Sequence, residues 1–270
     1  MVDSDKVFAG SIPQLYDTLL VPRIFEEYAI DLAERVAALK PKDVLETAAG
    51  SGVVTRALAP RLDPDTRYVV TDLNQPMLDH ADSRQGSDPR ITWQQADALN
   101  LPFEDQTFDA VVCQFGVMFL PDKIAGYKEA RRVMKPGGTF VFNVWDHIGV
   151  NEFADIVTQA AASVFPDDPP LFMARTPHGY HEANEIQRQL EQAGFGEVSI
   201  STITKTSPAL SPNHAARAYC EGTPMRNEIE NRDADLLVEV VDRATAAIAE
   251  RYGQGAINGK IQAHVVTAKV

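Results

Sequence analysis

The chain reads as an α/β protein built on a doubly wound, mainly parallel sheet. Three observations predict this. Short apolar runs alternate with helical stripes along the first 147 residues. One of those runs enters a glycine turn that opens a helix, at Val44-Leu45-Glu46-Thr47-Ala48-Ala49-Gly50-Ser51-Gly52-Val53-Val54. A second run closes on an acid, Asp72, twenty residues past Gly52. Strands that alternate with helices favour a parallel sheet covered on both faces.

The glycine turn organises the rest. Gly50 and Gly52 let the backbone bend sharply and remove side chains that would block a ligand. The helix that follows aims its unpaired N–H groups over the turn. In doubly wound folds such a βα turn takes the charged part of a nucleotide-like cofactor. Arg67 to Asp72 reads as the second strand. In a dinucleotide-type fold its terminal carboxylate is expected beside a ribose, where it can accept from both hydroxyls, the alternative being a turn-forming Asp.

The other elements follow in order. Gly10, Pro13 and Pro22 break the first 22 residues, and a helix is expected to start after Pro22, a residue suited to a first turn. Phe25, Tyr28, Ala29, Leu32, Val36 and Leu39 share one face of it. A helix runs from the glycine turn to about Leu62, and another opens near Pro76. Ile91 to Ala96 alternates as a third strand ending at Asp97-Ala98. Phe108 to Phe115 is a continuous apolar run suited to a central strand, with Cys113 a buried small hydrophobe inside it. A helix from Pro121 to Met134 closes at Lys135-Pro136-Gly137-Gly138, and Thr139 to Trp145 is the fifth strand. Beyond it, helices are expected over Glu152–Phe165, Glu182–Ala193, 215–221 and 234–252, with strands over 198–203 and 263–268. This divides the chain into an N-terminal helical lid segment (1–40), a main domain (41–206 with 259–270) and a helical insertion or cap (207–258).

Composition excludes several classes. The 270 residues are 44% apolar, enough for a full core. With 25 basic against 38 acidic residues, the formal charge is −13, which disfavours a nucleic-acid partner. The only basic pair of note, Arg131-Arg132, fits the last turns of a helix. Two cysteines, Cys113 and Cys220, form no framework and suit a reducing compartment. The acidic start lacks the apolar core of a signal peptide, and no apolar run approaches membrane-spanning length, so a soluble cytoplasmic protein without membrane partners is expected.

Glu46-Thr47-Ala48-Ala49-Gly50-Ser51-Gly52, Asp72, Asp97-Ala98, the lead-in Leu101 to Asp109 and Met134-Lys135-Pro136-Gly137-Gly138 stand in order and at matching spacing. Together they resemble the class I S-adenosylmethionine-dependent methyltransferases, in the small-molecule branch that includes quinone-biosynthesis enzymes. Ala48 stands where that family has its first glycine. The resemblance covers about residues 40 to 147. It implies a Rossmann-like, seven-stranded sheet with an antiparallel last strand, S-adenosyl-L-methionine as cofactor and a small-molecule substrate.

The resemblance also implies site residues. Backbone at Thr47, Ala48, Gly50 and Gly52 would pack against the methionine moiety, with Glu46 placed to favour its ammonium. Asp72 would hold the ribose diol, and Leu73 and Met77 would flank the adenine. Asp97 would accept from the adenine amino group, and the Ala98 N–H would serve a ring nitrogen. Gln114 and Phe115 would lie near the sulfonium. For proton removal the candidates are His178, His181 and Tyr16, with Tyr28 and His147 behind them, and none is assigned.

Other chemistries fit less well. After the fourth strand, Gln114-Phe115-Gly116-Val117 replaces the Asn/Asp-Pro-Pro-aromatic tetrad of amino-methylating nucleic-acid enzymes, and Val112 precedes Cys113 where cytosine C5 enzymes have proline. No acidic cluster suggests a metal, and Glu26-Glu27 reads as a solvated face. Two alternatives remain at this level. A nicotinamide-dependent oxidoreductase shares Gly50-x-Gly52 and Asp72, but Thr55 stands at its third glycine. A non-catalytic cofactor-binding accessory protein is the other. Helical insertions also build dimer contacts, so a homodimer is the assembly to test.

Overall fold

A computed structural model describes residues 16–270, with side chains from residue 17 onward. The breakers Gly10 and Pro13 lie outside the described residues, as does the side chain of Tyr16. Seven strands form one sheet in the order β3-β2-β1-β4-β5-β7-β6. They are β1 (Asp43–Glu46), β2 (Arg67–Asp72), β3 (Ile91–Gln95), β4 (Phe108–Gln114), β5 (Met134–Trp145), β6 (Glu197–Ala209) and β7 (Ile257–Lys269). β1 to β5 all run parallel. β7 runs antiparallel to β5, and the Val270 carbonyl accepts from Gly137 N–H at 3.3 Å while Val270 N–H donates to Gly138 at 3.1 Å.

The helices are α1 (Glu26–Ala38), α2 (Val53–Leu58), α3 (Gln75–Gln85), α4 (Lys123–Val133), α5 (Glu152–Val164), α6 (Phe172–Arg175), α7 (Ala183–Gln192), α8 (Pro212–Glu221), α9 (Met225–Asp233) and α10 (Leu237–Tyr252). The chain forms two compact units. One gathers the described residues up to Phe25 with Trp145–Tyr180 and Thr204–Gln262; the other holds Glu26–Val144, His181–Ile203 and Ala263–Val270.

In the second unit, α1 buries Tyr28, Ala29, Leu32, Ala33 and Val36, the expected stripe, whereas Leu39 lies beyond the helix end and is exposed. The central strand β4 is buried along almost its whole length, as a strand covered on both faces must be. Phe140 and Phe142 of β5 lie 4.7 Å apart, and Tyr127 of α4 packs 5.6 Å from Phe142. Cys113 is free and buried, and loss of solvation pushes its thiol up to about 11, so it is a packing residue and no nucleophile at neutral pH.

Several expectations need correction. An α-helix does start after Pro22, at Glu26, but Pro22 is not in its first turn: a wide π-helical run, Tyr16–Phe25, contains it and leads directly into α1. The Lys135–Gly138 stretch is not a loop but the beginning of β5, which pairs Phe108 with Met134 and then Ala110 with Thr139, so the extra residues bulge out. Gly137 takes φ +80° there, the left-handed turn that releases the bulge. β6 and β7 are each 13 residues long, more than twice the expected strands. Pro208 fits near the end of β6 because that strand is an edge of the sheet. Gly259 belongs to β7, where a Cβ would lie 2.8 Å from the Phe153 ring. The short α6 and the α9 helix carried too little periodicity to be expected.

Candidate functional site

The turn after β1 is wound through three left-handed residues, Ala48 (φ +52°), Gly50 (+56°) and Gly52 (+76°). Thr47 N–H donates to Val112 at 2.9 Å and Ala49 N–H to Thr71 at 3.0 Å, which pins the turn between the ends of β4 and β2. The two glycines serve different ends. At Gly52 a Cβ would meet the Ala81 Cβ at 2.9 Å, so glycine there lets the turn approach α3 closely. At Gly50 a Cβ would meet only the Met77 methyl at 3.7 Å, which leaves the space above the turn open.

Asp72 ends β2 and is buried. Its Oδ2 accepts from Gly50 N–H at 2.8 Å and its Oδ1 from Asn74 N–H at 2.8 Å. Burial pushes this carboxyl above its ordinary range, against the pull of those backbone donors. A carboxylate offers about four acceptor positions, so hydroxyl donors can still be received. Asp72 pairs with Gln95 across the ladder, and Ala96 N–H donates to the Asp72 carbonyl at 3.0 Å. Asp97 therefore lies one residue beyond that bond, at the adjacent strand tip. It is exposed, and its Oδ1 accepts from Leu99 N–H at 2.9 Å. Leu73, next to Asp72, is 46% exposed, an uncovered apolar side chain at the lip of the turn. Ala48 and Ala98 share the wall of a small apolar cavity with Leu101, Gly116, Val117 and Leu120.

Glu46 is turned into the protein. It is buried, and its Oε2 accepts from Thr55 Oγ1 at 2.7 Å and from the Tyr68 hydroxyl. Loss of solvation outweighs both donors and pushes its carboxyl up to about 7, with the nearby Asp72 adding to the rise. These two partners were not expected. Thr55 could have been noticed, because a hydroxyl in a helix's first turn after an acid-bearing strand is an obvious donor to it. Tyr68 carries no such signal.

Gln114 ends β4 half-buried, and Phe115 after it is left-handed, with φ +49°. The Phe115 ring meets Tyr28 edge-on at 5.5 Å, and the Tyr28 hydroxyl donates to Ile203 O at 2.9 Å. Tyr28 is thus a core residue whose proton is committed. In the first unit, His178 is buried, its ring lies 5.8 Å from Trp145, and its Nδ1 is 2.8 Å from Asp146 O. A carbonyl only accepts, so Nδ1 carries a proton. His147 Nδ1 accepts from Gly149 N–H at 3.1 Å, a capping role. His181 belongs to the second unit, with Nε2 3.2 Å from Glu182 Oε1. Among the described residues no group of three or more His, Cys, Asp or Glu could hold a metal ion, and no helix is long and apolar enough to cross a membrane.

The family model of the methyltransferase domain matches residues 44–138. Over 178 residues the chain is 30% identical to the demethylmenaquinone methyltransferase of Lactobacillus johnsonii, spanning 62% of this chain and 72% of that protein. The chain belongs to the class I S-adenosylmethionine-dependent methyltransferases. A second relative, the ubiquinone/menaquinone biosynthesis C-methyltransferase of Bartonella tribocorum, is 27% identical over 191 residues, 64% of this chain and 71% of its own. Among solved structures, the phosphoethanolamine N-methyltransferase 2 of Haemonchus contortus, in complex with phosphomonomethylethanolamine and S-adenosylhomocysteine, superposes with a TM-score of 0.62. Identity is 16%, covering 100% of this chain and 61% of that one, a likeness of fold. This methyltransferase transfers a methyl group from S-adenosylmethionine to a small-molecule acceptor. The nicotinamide and accessory readings are thereby set aside. The open space over Gly50, the spare acceptor capacity of Asp72 and the uncovered Leu73 all suit that cofactor.

Proposed function

We propose that the cofactor lies across the tips of β3, β2, β1 and β4, and that the acceptor is a ring of the quinone class, in its hydroquinone form, by analogy with the demethylmenaquinone in the relatives' name. One observation carries the reading: the Asp72 carboxylate, at the tip of β2, is held by Gly50 N–H at 2.8 Å and has Asp97 on the neighbouring strand end. In this assignment Asp72 takes the ribose hydroxyls, Leu73 and Met77 flank the adenine, and Asp97 with the Ala98 N–H reads its edge. Thr47, Ala48, Gly50 and Gly52 line the methionine end, Glu46 supplies negative charge beneath it, and Gln114 and Phe115 border the sulfur. These residues all lie in the segment 41–206, which with 259–270 we assign as the methyltransferase domain, with 207–258 as an insertion.

When bound, S-adenosylmethionine supplies a methyl group already activated by its sulfonium. The chain's work is then alignment and exclusion of water. The glycine turn lets backbone come close, the paired carboxylates favour positive charge, and Phe115 with Tyr28 forms an apolar wall. Of the proton-accepting candidates, His178 has Nδ1 2.8 Å from the Asp146 carbonyl, which places a proton on that nitrogen. The test is transfer of labelled methyl from S-adenosylmethionine to 1,4-naphthohydroquinone, with calorimetry of cofactor binding alongside. Cofactor binding with ring-carbon methylation is expected. Cofactor binding with label only on amines in a metabolite extract would replace the acceptor class.

A further inference from the structure

Asn143 lies one strand beyond the proposed cofactor site. β5 is the neighbour of β4 in the sheet, and Asn143 pairs with Gln114, the last residue of β4. It is fully buried. Its Oδ1 accepts from Phe115 N–H at 2.8 Å, and its backbone carbonyl receives the same N–H at 3.2 Å. The orientation of the amide is settled by that bond, since an N–H requires the oxygen opposite it. The Nδ2 group is consequently turned away from Phe115, and it has no hydrogen-bond partner among the described residues.

Both halves of this side chain are unusual. Phe115 occupies left-handed backbone (φ +49°), which a non-glycine residue holds only where its surroundings over-determine it. The doubled acceptor from Asn143 and the edge-on contact with Tyr28 do so. A buried donor without an acceptor, in contrast, costs free energy comparable to a lost hydrogen bond. Leucine or valine would fill a β5 position at no such cost. Asparagine therefore gives two things at once: an acceptor for the β4 exit, and a buried donor that meets no acceptor among the described residues.

We propose that Asn143 is an acceptor-binding residue: its Nδ2 donates to a hydroxyl or carbonyl oxygen of the methyl acceptor, while its Oδ1 fixes the Phe115 backbone beside the cofactor. The inference rests on the cofactor placement above, in which β5 is the strand next to the methyl end. It gives the acceptor a required feature, an oxygen near the methylated atom, and it separates that acceptor from simple amines. One amide then couples the position of the cofactor-side turn to the position of the acceptor.

The experiment uses the full chain with asparagine side chains labelled with 15N. The Asn143 amide pair is assigned in the wild-type protein by through-bond correlation to its backbone, and its disappearance in Asn143→Asp checks the assignment. That variant keeps an oxygen for Phe115 N–H and loses the donor; Asn143→Leu loses both. S-adenosylhomocysteine is added to saturation, followed by 1-naphthol as an oxygen-bearing aromatic probe. The expected results are a shift of the wild-type Nδ2 protons on adding 1-naphthol, and N143D binding S-adenosylhomocysteine within about threefold of wild type but 1-naphthol about tenfold more weakly. N143L should weaken both. Equal 1-naphthol affinity in wild type and N143D, or no Nδ2 shift with 1-naphthol, overturns the proposal and leaves Nδ2 to an ordered water. The wild-type shift is read even where a variant fails to fold. If wild type fails to bind S-adenosylhomocysteine at all, the cofactor placement fails first, and this inference falls with it.

Discussion

The backbone N–H of Gly50 donates to the Asp72 carboxylate at 2.8 Å, and Asn74 N–H donates to its other oxygen at the same distance. One side chain thus ties the glycine turn to the tip of β2, at the place proposed for the ribose. Asp72→Ala removes the tie and the ligand contact together. Calorimetry should show S-adenosylmethionine affinity down at least about tenfold, and thermal unfolding should show a loss of about 1–3 kcal/mol from the orphaned donors. Asp72→Asn keeps the shape and should retain most of the stability. Unchanged affinity in both variants would remove Asp72 from the site.

Glu46 should make the stability of the free protein depend on pH. Its carboxyl is raised from 4.5 to about 7 by burial, so between those values the folded chain holds a proton that the unfolded chain has released. Stability from this group therefore falls as pH rises through that window, and the deficit is complete above pH 7, at about 3 kcal/mol. Glu46→Gln imitates the protonated state and still accepts from Thr55 and Tyr68. Denaturant unfolding should find E46Q matching wild type near pH 4.5 and more stable than it at pH 8. A cationic ligand favours the ionised form, so wild-type affinity for S-adenosylmethionine should rise towards pH 8 while that of E46Q stays flat. A pH-independent gap between the two proteins would contradict this.

Ala48 and Gly116 fit only as a pair. A Cβ at Gly116 would lie 2.5 Å from the Ala48 Cβ and 2.7 Å from the Cys113 sulfur. Gly116→Ala should lose about 1–3 kcal/mol through overpacking. Adding Ala48→Gly to it should restore part of that loss, because one of the two clashes disappears and the φ +52° position is relieved. Additive effects in the four-protein cycle would show that the two residues do not couple.

Lys135 provides the contrast. It donates to Asp43 at 2.7 Å and Asp109 at 2.9 Å, at the beginnings of β1 and β4, away from the strand tips. Half-exposed pairs of this kind are screened by solvent, so Lys135→Met should cost at most about 1 kcal/mol. Cofactor affinity should be unchanged within error. A marked fall in affinity would mean that the two ends of the strands are energetically linked.

Much of this was readable in local sequence, and the reason is period and spacing. The glycine turn, the acids at the ends of β2 and β3 and the apolar run of β4 are each set by a few adjacent residues. What escaped depends on distant partners. Tyr68 reaches Glu46 across 22 positions, and Tyr28 reaches Ile203 across 175. Asn143 reads as an ordinary polar residue in a strand until Phe115 is seen bound to it. The β5 bulge hid behind Lys135-Pro136-Gly137-Gly138, whose residues suit a loop as well as a bulge. Pro22 suggested a first-turn position because its missing N–H costs nothing there; the chain instead holds it inside the π-helical run that precedes α1.

The most direct measurement is a crystal structure of the full chain with S-adenosylhomocysteine. The account predicts ribose hydroxyls within hydrogen-bond distance of Asp72, the adenine amino group at Asp97, and the sulfur beside Gln114 and Phe115. A ligand seated elsewhere, or a sugar turned away from Asp72, would contradict it.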